Sequence, residues 1–213
     1  NNNRTFKDII MPDLVLGTTT VMSESSGTAS IASGITFPSG HIIQVVQYML
    51  QNAFTQTINS SNGYVIMNDG SDDFAVTITT LKANSRIKLS INFGVFVSHN
   101  SSAGYGANAR IIRDIGGSST DLAKNVLPGG NTPKGTFSLN TDSLTYDDGG
   151  KGFMMIDSPA QNAGTTMTYK IGVLGHSPSN YTMMVNYNAS TTSGSDGYQG
   201  TGISTFIAEE ISA

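Results

Sequence analysis

Nucleophilic catalysis needs an activated serine beside a histidine and a carboxylate. The chain has three histidines, His41, His99 and His176, and no Gly-x-Ser-x-Gly elbow. The segment SGSDG at 193–197 lacks that spacing and lies in a polar loop. Carboxylates pair at Asp69, Asp72 and Asp73 in NDGSDD, and at Asp147 and Asp148. Paired acids can run glycoside hydrolysis, and Asp-rich glycine loops can hold calcium. NDGSDD lacks the closing bidentate Glu of an EF-hand loop, and turn formation explains Asp69, Asp72 and Asp73 more simply. They stand as weak metal candidates only. With no cysteine and no close histidine pair, no zinc-type ligand set is written in the chain. Glycine pairs such as 116–117 and 129–130 do not follow a strand and open a helix, so they are not phosphate cradles. The expectation is a non-enzyme without a cofactor. The loop tyrosines Tyr105, Tyr146 and Tyr198 bring contact area at low entropy cost. Of these, Tyr105 and Tyr198 are candidate distal-loop contacts that could stack on the sugar rings of a surface glycan.

Composition narrows the class. The 213 residues are 12 % charged, about half the usual quarter for a globular chain. Gly, Ser, Thr and Asn fill the gap, so hydroxyls and amides solubilise the surface. The net charge is −4 with no basic cluster, which argues against a nucleic-acid partner. No apolar run nears the roughly 20 residues of a membrane helix, so membrane insertion is not expected. The absence of cysteine means that no disulfide framework supports the fold.

The elements that must position these groups fall into two parts. Residues 1–37 are expected as an extended attachment arm. Phe6, Ile9, Ile10, Leu14 and Leu16 form its apolar anchor, Pro12 interrupts any long helix, and residues 18–34 are small and polar. Residues 38–213 follow strand grammar. Phe74, Val76 and Ile78 alternate on one face. So do Ile87, Leu89, Ile91, Phe93, Val95 and Val97, with Lys88, Ser90 and Asn92 opposite. Ala107, Ala109 and Ile111 alternate likewise, as do Met167, Tyr169, Ile171 and Val173, then Tyr181, Met183 and Val185. Residues 204–211 form a last short strand. Gly/Asn/Asp/Pro clusters separate the runs, and 120–126 is the one helix candidate. Many short strands with turns at short spacing predict an antiparallel all-β fold, a sandwich or a barrel. Phe96 and Met184, pointing away from their buried neighbours, hint that another subunit covers part of it.

A resemblance sharpens this reading. ASGITFPSGHIIQVVQ, from residue 32, resembles the "GITFPDG"-like step before the C-terminal β domain of bacteriophage virion surface proteins. AVTITTLKANSRIKLSINFGVFVS, ARIIRD, GFMMIDSPA, TYKIGVLG and STFIAEEI resemble that family's later strands in the same order. The resemblance implies a TNF- or C1q-like jelly roll that forms a homotrimer. It would act as a head decoration or cement protein, or as a short tail-fibre component. The arm would dock on a phage capsid or tail protein, and the particle would be assembled in the cytoplasm of a bacterial host. The alternative is a receptor- or carbohydrate-binding tip of a tail fibre.

Overall fold

The computed structural model describes residues 13–16, 19–25, 28–31, 37–61, 63–94, 96–100, 103–104, 107–122, 137–139, 151–175, 178–186 and 202–213. The chain divides into two compact units, Asn1–Pro38 and Ser39–Ala213.

Within the first unit, β1 (Asp13–Leu16), β2 (Thr19–Ser25) and β3 (Thr28–Ile31) form a three-stranded antiparallel sheet in that order. Small polar residues at 18–34 argued for an arm that does not fold by itself. Strand pairing satisfies backbone groups whatever the side chains are, so it also accommodates such a sequence.

In the second unit the strands are β4 (Ile42–Leu50), β5 (Phe54–Ile58), β6 (Val65–Ile66), β7 (Ala75–Thr79), β8 (Arg86–Phe93), β9 (Phe96–Asn100) and β10 (Ala103–Gly104). They continue as β11 (Ala107–Ile115), β12 (Ser118–Asp121), β13 (Phe137–Leu139), β14 (Lys151–Asp157), β15 (Thr166–Gly175), β16 (Tyr181–Val185) and β17 (Ser204–Ile211). No helix occurs among the described residues. The helix expected at 120–126 gives way at its start to β12. Gly116 and Gly117, both at positive φ (58° and 84°), turn the chain back so that β12 pairs with β11.

The first sheet has the order β14-β8-β17-β4. The second has the order β12-β11-β15, with β6 and β7 both pairing β15 and β13 pairing β11. A third, β10-β9-β16-β5, completes the unit. Each pairing is antiparallel, and in the first sheet no two neighbours are consecutive in the chain. The path passes from the first sheet (β4) to the second (β7), and back and forth through β8, β11, β14, β15 and β17. That alternation makes the unit a jelly-roll-like β-sandwich.

The core lies between the layers. Ile87, Leu89 and Phe93 of β8, Phe206 and Ala208 of β17, Ile78 of β7, and Ile111, Tyr169 and Ile171 are all at most 1 % exposed. Phe74, just before β7, is the aromatic hub. Its ring centroid lies 5.7 Å from Phe93, 5.8 Å from Phe206 and 5.8 Å from Tyr48. All three contacts are tilted, the arrangement the ring quadrupoles favour. The β7, β8, β11, β15 and β16 alternations therefore place their apolar sets inward, apart from Val95, Val97 and Tyr181, whose side chains lie outside the described residues.

Two polar bridges also cross between the layers. Buried Glu210 of β17 accepts from the backbone N–H of Leu81 (2.9 Å) and of Lys82 (3.0 Å), just past β7. The Gln44 amide faces two acceptors, Glu210 Oε2 at 3.0 Å and the Thr79 carbonyl at 2.9 Å, so its nitrogen donates to both. The second bridge joins Arg113, Asp157 and Tyr169.

Candidate functional site

Charged groups inside a core need partners, and three strands supply them in this unit. Arg113 enters from β11, Asp157 ends β14 and Tyr169 stands in mid-β15. Arg113 Nη1 donates to both carboxylate oxygens of Asp157, at 2.9 and 2.7 Å. The Tyr169 hydroxyl donates to Asp157 Oδ2 at 2.9 Å. Tyr169 is fully buried, and burial, aided by the Asp157 charge, holds its phenol well above the ordinary value of 10.0. Such a tyrosine stays protonated and donates. These bonds join the layers, and the buried Arg113 Nε finds no hydrogen-bond partner among the described residues.

On the outer face of the second sheet, the Arg110 guanidinium lies 3.2 Å from the centroid of the Tyr64 ring and pairs with Asp121. Gly172 makes room for this stack. A Cβ there would approach Ile112 Cδ1 at 3.0 Å and Tyr64 Cβ at 3.4 Å. Burial raises the Tyr64 phenol above its usual value.

The acidic loop is consumed by its own turn. Asp69 Oδ1 accepts from the backbone N–H of Ser71 and Asp72, both at 2.9 Å. Those two bonds hold its carboxyl below the usual range. Asn68 donates to Asp73 Oδ1 at 3.0 Å, and Lys170 Nζ lies 3.2 Å from Asp73 Oδ2. Gly70, at φ 97°, supplies the turn conformation. Among the described residues, no group of three histidine or carboxylate side chains is placed to hold a metal.

The two sheets differ on their outer faces. Residues directly opposite in an antiparallel pair share a face. Across β14, β8, β17 and β4 the outward rows are therefore Ile156–Lys88–Glu209–Val45, Met154–Ser90–Ile207–Gln47, and Gly152–Asn92–Thr205–Met49. The ion pair between Lys88 and Glu209 (2.5 Å) fixes the phase. Met154 is 63 % exposed, Val45 59 %, Ile156 51 % and Met49 49 %. Four large apolar side chains thus stand half out in water on one sheet face. On the second sheet the outward pairs are Thr77–Thr168 and Thr79–Thr166, each joined hydroxyl to hydroxyl at 2.9 Å. Beside them, Asp114 accepts from Ser119 Oγ. The second sheet exposes paired threonine hydroxyls where the first presents exposed hydrocarbon.

The site expectations divide accordingly. Leu14 and Leu16 fall in β1, whereas Phe6, Ile9, Ile10, Tyr105, Tyr146, Tyr198, Asp147 and Asp148 lie outside the described residues. Asp69, Asp72 and Asp73 share one loop. Met184 is half-buried, and Phe96 falls in β9. The apolar outer face on β4 and β14 was not singled out from the sequence. The doublets Ile42-Ile43, Val45-Val46 and Met154-Met155 put apolar residues on both faces, so alternation alone does not show which one is the core. Among the described residues, no helix is long and apolar enough to cross a membrane.

Comparison with models of protein families and with curated protein sequences gives no match. Comparison with solved structures gives distant likenesses. The CBM22-1 xylan-binding domain of Paenibacillus barcinonensis Xyn10C is 8 % identical, with a TM-score of 0.30, covering 84 % of this chain and 99 % of that one. A structure of infectious bursal disease virus, Gx strain, is 10 % identical at a TM-score of 0.33, covering 94 % of this chain and 47 % of that one. Exo-β-1,3-galactanase from Phanerochaete chrysosporium is 13 % identical at a TM-score of 0.23, covering 77 % and 32 %. The chain spans under half the length of the last two.

Proposed function

We propose that this chain is a non-enzymatic structural module of a bacteriophage particle, a surface protein that assembles as a homotrimer through its jelly-roll unit. Residues 1–37 attach it to a capsid or tail protein. One observation carries the self-association: the half-exposed Val45, Met49, Met154 and Ile156 lie on one sheet face, while the opposite sheet is dressed in threonines and paired charges. Several large apolar side chains exposed on one sheet face mark an interaction surface. Closed symmetry is the usual way for copies of one chain to cover it.

The phage assignment rests on the order of the sequence motifs. It gains support from where three of them meet. ARIIRD supplies Arg113, GFMMIDSPA supplies Asp157 and TYKIGVLG supplies Tyr169, and these three residues form the buried bridge between the layers. Motifs that look unrelated along the chain therefore serve one structural purpose. The interior carboxylates of Glu210 and Asp157 are spent on structural bonds, which suits a module that binds and stabilises. The reading is tested by the mass of the full chain in solution. A species three times the 22.4 kDa chain mass is expected, and a monomer at micromolar concentration overturns it.

A further inference from the structure

The exposed hydrocarbon is not spread evenly over its face. Most of it stands in two strips at opposite edges of the sheet, Val45 and Met49 on edge strand β4 and Met154 and Ile156 on edge strand β14; Ile42 at the start of β4 (49 % exposed) and Ile203 just before β17 (52 %) stand apart from these strips. Three strand spacings, roughly 14 Å, separate the two strips. Between them, on β8 and β17, runs a middle of Lys88, Ser90, Asn92, Thr205 and Glu209, with Ile207 half-buried among them, while Gln47 lies within the β4 strip.

We infer that the two strips are the two halves of one head-to-tail contact, in which the β4 strip of each copy packs on the β14 strip of the next and the ring closes. This rests on the self-association proposed above and specifies how it is built. Three observations select a second copy as the occupant. The strips carry no charge, so nothing in them selects a charged partner. Lys88 and Glu209 neutralise each other, so two copies meet without like-charge repulsion on this face although each chain carries a net charge of −4. Finally, β4 is a nine-residue edge strand, IIQVVQYML, with no charge and no proline. Those are the devices that normally keep an edge from pairing with another chain.

The same arrangement argues against the other symmetric solutions. A two-fold contact of one strip with itself leaves the second strip in water. Stacking whole faces about a two-fold covers both, but it also buries the Lys88–Glu209 pair and the amide of Asn92, and desolvating an ion pair is costly. Head-to-tail contact covers both strips and leaves the polar middle wet.

Two full-length variants test this: Val45→Asp with Met49→Asp, and Met154→Asp with Ile156→Asp. All four positions are half-exposed or more, so folding should survive, and a wild-type-like urea midpoint verifies it. If a variant loses its fold, Val45→Thr with Met49→Gln or Ile156→Thr with Met154→Gln replaces it. Mass is read by light scattering for each variant alone and for an equimolar mixture. The expected result is a monomer for each alone and a 1:1 pair, nothing larger, for the mixture, because one intact strip of each kind remains. Three results overturn the inference while leaving self-association standing: one variant alone still pairs or assembles fully, both assemble like the wild type, or the mixture stays monomeric. A monomeric wild type defeats the proposed self-association itself and shows that another segment of the chain or another partner covers the strips.

Discussion

Tyr169 donates its phenolic hydrogen to Asp157 Oδ2 across 2.9 Å between the layers of the sandwich, and Arg113 donates to both oxygens of the same carboxylate. The bond ties β15 to β14, one strand from each sheet. Tyr169→Phe removes the donor and keeps the ring. It should lower the unfolding free energy by about 1–3 kcal/mol, the usual cost of leaving a buried acceptor short of a bond. Asp157→Ala should cost more, about 3–5 kcal/mol, because it leaves the Arg113 charge without its partner. Urea unfolding of the two single variants and the double variant gives both values and their coupling. Equal, additive losses would show that the three residues do not act as a unit.

The same tyrosine gives the module a response to alkali. Burial, then the Asp157 charge, raises its phenol above the ordinary 10.0. The folded state therefore holds the proton more tightly than the unfolded chain does. The resulting stability is fully present below about pH 10 and is lost as the pH climbs from there toward the folded value. The urea midpoint of the wild type should fall between pH 10 and 11.5 more steeply than that of Tyr169→Phe. Parallel slopes would contradict the assignment.

Ile91 is 2 % exposed at the centre of β8, between β14 and β17. Ile91→Asp buries an unpaired charge and should cost roughly 3 kcal/mol or more. The variant is expected in inclusion bodies or without a cooperative thermal transition. A soluble, cooperatively melting Ile91→Asp protein would mean that the inward phase of β8 is wrong.

Ala160 follows β14 in the turn 158–165 with φ at 51°, a conformation costly for any residue with a Cβ. Glycine removes that cost but has more freedom to lose when the chain folds. The net expectation for Ala160→Gly is a gain of about 0.5–1 kcal/mol, seen as a higher thermal midpoint. A drop of similar size would show that the turn does not hold this conformation.

How much of this was legible in the sequence depends on whether the signal was local. Phe74, Val76 and Ile78, and Met167, Tyr169, Ile171 and Val173, all stand buried as their alternation requires, because period two is a property of one strand alone. The closing strand at 204–211 likewise announced itself. The Arg113–Asp157 pair did not. A charged residue in a strand is normally read as outward, and only the pairing of distant strands brings two opposite charges together inside. The apolar strips stayed hidden for a related reason. Val45 and Val46, and Met154 and Met155, are equally apolar, and only the neighbours across the sheet decide which of each pair meets water. The start of the expected helix, Thr120 and Asp121, became strand because the Gly116-Gly117 turn places it against β11.

The central claim is that copies of this chain assemble through the outer face of the β14-β8-β17-β4 sheet. Light scattering on the purified full chain, and on the chain lacking residues 1–37, tests it most directly. The account predicts a mass of three chains in both samples, each full chain being 22.4 kDa. A monomer in both would contradict it and leave the half-exposed Val45, Met49, Met154 and Ile156 to some other partner.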